Sequence, residues 1–205
     1  MKSNRIRINT IIPMAKNMGP GTRIAVVVQG CLHNCPGCNS SNTFDSKDGK
    51  SYTVEELLTE LWEFDNSDID GITITGGEPF LQSELLYELI KSYLQCNTFK
   101  NKTVCVYTGY SFEEILEEIH TKVPPNLDWI KLVNIADYLI DGRFDINLVP
   151  DENTICKFRG STNQRVLNGK ESYKNKKPIE YDEYKVTKKE TEENGSKENE
   201  RTEQE

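Results

Sequence analysis

The feature that most constrains this chain is a group of three cysteines that directly follows a short apolar run. Cys31, Cys35 and Cys38 have the spacing CxxxCxxC, and the apolar run occupies residues 24–28. An uninterrupted run of β-branched residues predicts a strand that is buried on both faces, as in a parallel sheet. Three thiolates within eight residues predict a metal or cluster site at the end of that strand.

Two kinds of metal centre suit these donors. A [4Fe-4S] cluster normally takes four cysteines, so three would leave one iron with the open position that a catalytic metal needs. Zinc also binds thiolates and would take His33 or a distant cysteine as its fourth ligand. His33 lies inside the first CxxxC loop, however, and the sequence has no second CxxC pair of the kind that zinc ribbons show. The spacing therefore favours the iron–sulfur cluster over the zinc alternative.

Segments with strand and helix patterns alternate along the rest of the chain. Strands are predicted at residues 5–12, 24–28, 71–75, 102–107, 135–139 and 155–158. Helices are predicted over residues 81–94 and after Thr53 and Ser111, each of which is followed three residues later by a glutamate that completes a capping box. This alternation implies βαβ units. About six strands are too few for a closed eight-stranded barrel, so we expect an α/β fold built as a partial, open barrel of about six parallel strands.

A second motif, Gly76-Gly77-Glu78-Pro79, lies between a predicted strand and a predicted helix. Two glycines let the backbone approach a ligand closely, with N–H groups free to bind it, and Glu78 adds an acceptor. Alone, the motif is explained equally well as a tight turn. The carboxyl ends of parallel strands meet at one edge of a sheet, so we expect this loop to lie beside the cysteines.

Together, the two motifs resemble the core of the radical S-adenosylmethionine (SAM) enzymes. The resemblance implies a [4Fe-4S] cluster held by Cys31, Cys35 and Cys38, with SAM chelated at the open iron. The residues that it assigns to SAM are Gly76, Gly77 and Glu78 at the methionine end, and Gly37 and Asn39, on either side of the cofactor-binding Cys38, at the adenosine end. No separate catalytic side chain is implied.

Four further segments are similar to one branch of this family, the activases of glycyl-radical enzymes. Residues 19–23, GPGTR, resemble the GPGxR motif of these activases. Residues 107–110 (YTGY), 139–144 (LIDGRF) and 159–164 (RGSTNQ) resemble segments of the activating proteins of anaerobic ribonucleotide reductase. Asp141 and Arg143 match an element that lies near SAM in related activases, although an exposed turn with an ion pair explains them equally well.

The function implied by this resemblance is that of an enzyme. It would cleave SAM reductively, with an electron from a flavodoxin or ferredoxin, and install a radical on a glycine of the large subunit of anaerobic ribonucleotide reductase. Two alternatives stay open. One is a radical SAM enzyme that acts on another protein or peptide, and the other is a non-catalytic module that binds zinc or a cluster for structure alone.

The composition separates the C-terminal end of the chain from the rest. Hydrophobic residues make up 36% of the 205 residues, and few of them lie beyond residue 170. We therefore expect one domain over residues 1–169 and a charged, disordered tail over residues 170–205. Truncation after Gly169 is expected to leave SAM cleavage intact.

Charge and cysteine content limit the partners and the compartment. The net charge of -8 argues against a general nucleic-acid or membrane-surface binder. The sequence shows neither an apolar run of membrane-spanning length nor a signal-peptide pattern, so with six cysteines we expect a cytoplasmic protein. Cys96, Cys105 and Cys156 lie outside the motif, and we expect them to be buried small hydrophobic residues.

Overall fold

The computed structural model describes residues 4–96, 101–122 and 125–189. Within these ranges the chain forms nine strands and five α-helices. The strands are β1 (Ile6–Ala15), β2 (Arg23–Val28), β3 (Lys50–Tyr52), β4 (Gly71–Gly76), β5 (Thr103–Tyr107), β6 (Tyr138–Asp141), β7 (Thr154–Ile155), β8 (Arg165–Leu167) and β9 (Thr187–Lys188). The helices are α1 (Val54–Phe64), α2 (Ser83–Cys96), α3 (Phe112–Thr121), α4 (Leu127–Ile135) and α5 (Gly169–Asn175).

Seven of these strands form one sheet in the order β3-β1-β2-β4-β5-β6-β8. The four central strands β2, β4, β5 and β6 are parallel, whereas β1, β3 and β8 each pair antiparallel with their neighbour. The α/β class is therefore confirmed, but the prediction of about six parallel strands is wrong. Only residues 16–22 join β1 to β2, and so short a connection cannot make the crossover that a parallel pair requires.

Both predicted capping boxes are present. The Thr53 hydroxyl accepts from the Glu56 N–H at 3.2 Å, and the Glu56 carboxylate accepts from the Thr53 N–H at 2.8 Å. Ser111 and Glu114 make the same pair of bonds at the start of α3. Each box satisfies two N–H groups that the first turn of a helix leaves unpaired, which is why these two helix starts were readable from the sequence.

Several elements differ from the sequence-based expectation, among them the following three. The strand expected at residues 135–139 begins only at Tyr138, because α4 occupies residues 127–135 after a cap in which Asn126 accepts from the Trp129 N–H at 3.4 Å. The strand expected at residues 155–158 is the two-residue β7, which pairs with β9 in a separate small sheet. Strand β8 was not predicted, because three residues are too few to show a period.

The five helices pack on one face of the seven-stranded sheet. The core on that face is built from alternate strand positions, such as Val26, Ile74 and Val106, and from helix residues, such as Leu61, Leu89, Phe112 and Leu132. The opposite face carries a smaller cluster of Cys105, Ile140 and Val166, with the rings of Tyr107, Tyr138, Tyr181 and Tyr184 packed against it. Within the described residues, no helix combines the length and the apolar character needed to cross a membrane.

The expectation that the chain is disordered from residue 170 is wrong for residues 170–189. Asn168 caps α5 by accepting from the Glu171 N–H at 3.0 Å. Tyr181 then donates its N–H to the Val166 carbonyl at 3.0 Å and packs its ring against Tyr138, with 5.1 Å between the ring centroids. A few aromatic residues among many charged ones were enough to anchor this segment, and an average composition conceals them. Residues 190–205 of the predicted tail lie outside the described residues.

Candidate functional site

The cysteine loop leaves the carboxyl end of β2, as predicted. The backbone of its first residues is fixed by the following segment, since the Gly30 N–H donates to the Thr43 carbonyl at 2.7 Å and the Cys31 N–H to the Phe44 carbonyl at 3.2 Å. Cys31, Cys35 and Cys38 are free thiols, and each is half-buried. The first two N–H groups of the loop are thus satisfied within the protein, and the Cys38 sulfur accepts from the Ser40 N–H at 3.4 Å.

The surroundings of the thiols affect their protonation. Burial raises the pKa of Cys31, and hydrogen bonds from the backbone N–H groups of His33 and Asn34 oppose this rise. Burial and then the neighbouring Cys38 raise the pKa of Cys35, whereas the Phe144 N–H and the Arg143 charge lower it. Thiolates are the metal-binding form, and these donors stabilise the thiolate within a partly buried loop.

Three thiols with N–H donors around them fit an iron–sulfur cluster. Within the described residues, no three His, Cys, Asp or Glu side chains lie close enough together to hold a single metal ion. A cubane cluster requires a different ligand geometry, because each cysteine binds a separate iron atom and the ligands do not converge on one point. Cysteine thiolates are the ligands that iron–sulfur clusters take, so the donor set of Cys31, Cys35 and Cys38 suits a cluster by its chemistry.

The glycine motif after β4 lies directly against the cysteine loop. The Gly77 N–H donates to the Val28 carbonyl at 2.9 Å, and the Glu78 N–H donates to the Gly30 carbonyl at 2.8 Å. A Cβ on Gly77 would lie 2.3 Å from the Gly30 oxygen, so only glycine allows this approach. Gly76 has a φ of 102°, which also favours glycine. The expectation that these N–H groups are free for a ligand is wrong for Gly77 and Glu78, because both bind the neighbouring loop.

The Glu78 carboxylate joins three loops at the carboxyl edge of the sheet. It is 1% exposed and accepts from the Phe80 N–H at 3.0 Å, from the Thr108 hydroxyl at 3.0 and 3.1 Å and from the Gly109 N–H at 2.8 Å. His33 Nε2 lies 2.8 Å from the same carboxylate, and an ionised carboxylate only accepts, so we assign the proton to Nε2. We call these contacts the Glu78 clasp.

His33 is the residue whose role sequence reasoning missed, since we considered it only as a zinc ligand. Its ring packs edge-on against Tyr110, with 4.6 Å between the centroids. A Cβ on Gly109 would lie 2.3 Å from the His33 ring, so the glycine after β5 makes room for it. The signal that was available is the histidine in the cysteine loop combined with the Thr-Gly pair after β5.

Asp141 and Arg143 differ in burial and have different ion-pair partners. Asp141 is buried at the end of β6, where it accepts from Arg165 at 2.5 and 3.0 Å and from the Phe112 N–H at 2.8 Å. Burial raises the pKa of Asp141, and the Arg165 guanidinium opposes this rise, so we take the pair as ionised. Arg143 is exposed and pairs with Glu114 at 2.8 Å. The ion pairing predicted for this turn is present, but Asp141 pairs with Arg165 and Arg143 pairs with Glu114.

The RGSTNQ segment holds the DGRF loop in place. Gln164 accepts from the Gly160 N–H at 2.9 Å and donates to the Gly142 carbonyl at 2.9 Å. Asn163 donates to the Arg143 carbonyl at 2.8 Å. Gln164 bonds both its own segment and the DGRF loop, and Asn163 bonds the DGRF loop. These bonds to backbone atoms give a physical reason for the two amide side chains at these positions.

A cavity of about 740 Å³ opens on the face of the sheet that the helices leave uncovered. It is lined by Asn39 from the cysteine loop, Thr75 at the end of β4, Tyr107 at the end of β5 and residues 156–160. A larger cavity of about 1080 Å³ lies on the helix side and is lined by Gly30, and neither cavity has any of the three motif cysteines in its lining. We favour the smaller cavity as the cofactor site, because it combines Asn39 of the cysteine loop with the carboxyl ends of β4 and β5, where ligands bind in parallel sheets.

The structure also shows the packing of Gly37 and of the three cysteines outside the motif. Gly37 has a φ of 72°, and a Cβ there would lie 2.4 Å from Ile146, so the loop after β6 packs closely on the cysteine loop. Of the three cysteines expected to be buried, Cys105 is buried, Cys156 is half-buried and donates to the Ser161 carbonyl at 3.8 Å, and Cys96 is exposed. The expectation is wrong for Cys96, because it lies in the last turn of α2, at the helix end.

Comparison with known proteins agrees with this geometry. Residues 17–167 match the family described as "4Fe-4S single cluster domain", and the chain belongs to that family. The anaerobic ribonucleoside-triphosphate reductase-activating protein of Enterobacteria phage T4 is 31% identical over 149 residues, which are 72% of this chain and 85% of that protein. At this level of similarity the chain also belongs to the family of those activating proteins. The predicted cluster, SAM and enzyme class are confirmed, and the zinc alternative is not supported.

Two other similarities are weaker. The pyruvate formate-lyase-activating enzyme of Clostridium pasteurianum is 37% identical over 118 residues, which are 54% of this chain and 48% of that enzyme. The crystal structure of QueE from Escherichia coli has a TM-score of 0.40 and 18% identity, and the match covers 52% of this chain and 54% of that one. This similarity is too low to support a conclusion about the fold.

Proposed function

We propose that this chain activates an anaerobic ribonucleoside-triphosphate reductase by generating a radical on a glycine of its large subunit. The proposal rests on the direct contact between the cysteine loop and the glycine motif. The Glu78 N–H donates to the Gly30 carbonyl, and the Glu78 carboxylate binds His33 in the Glu78 clasp. These contacts bring the two motifs of the family to one edge of the sheet, where ligands bind in parallel α/β folds.

The chain's own residues prepare the site for the cofactors. Cys31, Cys35 and Cys38 would hold the cluster, and backbone N–H groups near Cys31 and Cys35 oppose the rise in pKa that burial causes at these two thiols. When bound, the cluster and SAM supply the one-electron chemistry that cleaves SAM and starts hydrogen-atom transfer from the glycine. Gly37 and Asn39 would adjoin the adenosine end of SAM.

The residues assigned to the methionine end have an indirect role in this proposal. Gly76, Gly77 and Glu78 shape that end of the site by holding the loops together, since the Glu78 carboxylate already binds four protein groups. Asp141 anchors the start of α3, and Arg143 adds a positive charge near Cys35. Both would therefore support the cluster loop from outside.

The glycine substrate requires an opening in the fold. All five helices pack on one face of the sheet, as in the wall of a barrel, and the other face carries the cavity of about 740 Å³. We propose that this sheet curves into a partial, open barrel, with a mouth wide enough for a loop of the reductase. Residues 170–189 pack on the same sheet and would belong to the one domain that carries the activity.

The reductase is favoured over pyruvate formate-lyase as the substrate because of the coverage of the relatives. The match spans 85% of the reductase-activating protein of phage T4 but only 48% of the pyruvate formate-lyase-activating enzyme. We further propose a flavodoxin or ferredoxin as the electron donor. A reducing compartment such as the cytoplasm suits a chain in which all six cysteines are free thiols.

The test uses the full chain, reconstituted with iron and sulfide under anaerobic conditions. With dithionite and SAM, we expect 5′-deoxyadenosine, and on addition of the reductase large subunit we expect a glycyl radical signal in electron paramagnetic resonance. Pyruvate formate-lyase in place of the reductase is the matched control and should give no radical. Absence of 5′-deoxyadenosine would refute the enzymatic function, whereas a radical on pyruvate formate-lyase alone would refute the assigned substrate.

A further inference from the structure

One wall of the cavity of about 740 Å³ is a segment held in an unfavourable backbone conformation. Residues 156–160 form this wall, and Phe158 at its centre has a φ of 65°. A bulky side chain rarely adopts the left-handed region, and such a conformation persists only where the surrounding structure imposes it. The contacts that hold this wall therefore decide whether the cavity exists in its present shape.

Side chains on both sides of the wall fix its backbone. The Tyr107 hydroxyl, at the end of β5, donates to the Phe158 carbonyl at 2.7 Å. The Arg159 guanidinium donates to the carbonyls of Lys157 and Gln164, each at 3.1 Å, and also to the carbonyl of Tyr184. Arg159 thus joins the wall to a segment that lies 25 residues further along the chain.

That segment, which we call the C-terminal strap, consists of residues 178–189. Its strand β9 pairs with β7, which directly precedes the wall, and the Lys189 N–H donates to the Asn153 carbonyl at 2.8 Å. The ring of Tyr184 packs edge-on against Phe158, with 5.2 Å between the centroids. The strap therefore contacts the wall through a short sheet, a ring pair and the Arg159 bond.

We propose that the C-terminal strap is a positioning element of the SAM site, which holds residues 156–160 in place so that the cavity is formed before SAM binds. The proposal rests on the proposed function, because it takes SAM as the ligand of this cavity. The strap lies beyond residue 167, where the family match ends, so the family does not assign it this role. A preformed wall spares SAM the cost of ordering the segment on binding.

This role reverses the expectation for truncation after Gly169. The truncated chain would lose β9, the Tyr184 ring and the carbonyl that Arg159 binds. We therefore expect it to bind SAM more weakly, although the three cysteines are untouched. Because so large a deletion also removes most of α5, single substitutions give the sharper test.

The experiment compares Tyr184→Ala with Tyr173→Ala, in which a half-buried tyrosine is removed from α5, away from the wall. Hydrogen exchange in the chain without cofactors should be faster at residues 154–160 in Tyr184→Ala and unchanged there in Tyr173→Ala. SAM affinity of the reconstituted chain, measured by equilibrium dialysis, should fall about two- to tenfold in Tyr184→Ala alone, the range expected for one lost ring pair. Iron content per chain should equal that of the wild type in both.

A second pair of variants covers the case in which Tyr184→Ala does not fold. Thr187→Pro removes an N–H from the exposed strand β9, whereas Thr187→Ala keeps it, so only the proline variant should loosen the wall. Wild-type exchange at residues 154–160 and wild-type SAM affinity in Tyr184→Ala or, if it does not fold, in Thr187→Pro would overturn the proposal. If the wild-type chain binds no SAM, the proposed function fails instead, and the exchange comparison still decides whether the strap holds the wall.

Discussion

Strand β2 has a glycine-containing motif at each end, and the functional side chains of the two motifs differ in burial and in hydrogen bonding. At the amino end, the GPGTR turn ends in Arg23, which is fully buried. At the carboxyl end, the three cysteines of the other motif are half-buried and free. Both motifs are short and were equally visible in the sequence, yet the structure buries the charged side chain of one and leaves the thiols of the other half-buried.

At the amino end every donor of Arg23 is used inside the protein. Its guanidinium donates to the hydroxyls of Thr73 and Thr103 at 2.7 and 2.9 Å, and to the carbonyls of Pro20, Ile72 and Thr103 at 2.7 to 2.9 Å. Burial lowers the pKa of Arg23, and these neutral acceptors compensate for the lost hydration. An arginine with five such bonds is a structural cross-link of β2, β4 and β5.

At the carboxyl end, backbone hydrogen bonds fix the loops, and the three thiols stay half-buried. The amides of Gly30, Gly77 and Glu78 all bind neighbouring backbone. Burial raises the pKa values of Cys31 and Cys35, and nearby backbone N–H groups oppose this rise. The comparison teaches that a fully buried and fully hydrogen-bonded side chain indicates a packing role, and that half-buried thiols on a hydrogen-bonded loop frame indicate a functional site.

The largest effect should follow from loss of a cluster ligand. We expect Cys31→Ala, Cys35→Ala and Cys38→Ala each to abolish stoichiometric iron binding after reconstitution, because three ligands already leave one iron open. The free energy of unfolding of the cofactor-free chain should change little. Iron analysis and absorbance spectra measure the first result, and urea unfolding measures the second. Cys96→Ala, at an exposed thiol, is the control, and full iron binding in any of the three ligand variants would remove that residue from the set.

Arg23→Ala should give the reverse pattern, with a large loss of stability and no direct loss of iron. It leaves several buried acceptors unpaired, and we expect the free energy of unfolding to fall by roughly 3 to 5 kcal/mol. Arg5→Ala is the control, since Arg5 forms a partly exposed ion pair with Glu56 that contributes at most about 1 kcal/mol. If urea unfolding shows equal losses for the two arginines, the contrast between the two ends of β2 is wrong.

Glu78→Gln should have the smallest of the three effects, because Glu78 belongs to the frame of the site. The amide replaces one acceptor oxygen with an NH₂ group that would face an N–H donor in either orientation, and we expect a loss of about 2 kcal/mol in the free energy of unfolding. Folded protein should still bind iron. Glu88→Gln, at an exposed position of α2, is the matched control and should leave the unfolding curve unchanged. Equal curves for the two variants would show that the Glu78 clasp contributes no stability.

Local signals explain what could be predicted about the fold. The capping boxes at Thr53 and Ser111 and the apolar runs of β2, β4 and β5 each depend on residues close in sequence, and all were predicted. Strand β8 and the strap depend on contacts with distant residues, such as Tyr181 with Val166, and were not. A three-residue strand has too few side chains to show a period, so only its pairing identifies it.

The sequence by itself determined the family of the chain and the presence of the cysteine and glycine motifs, and from these it predicted the three cluster ligands, because each depends on residue type at fixed spacing. Only the tertiary structure decided what Glu78, His33 and Arg23 do, since the role of a polar group depends on which donors and acceptors the fold brings within about 3 Å of it. The same holds for residues 178–189, whose charged composition predicted disorder and whose tyrosines find partners only once the sheet has formed.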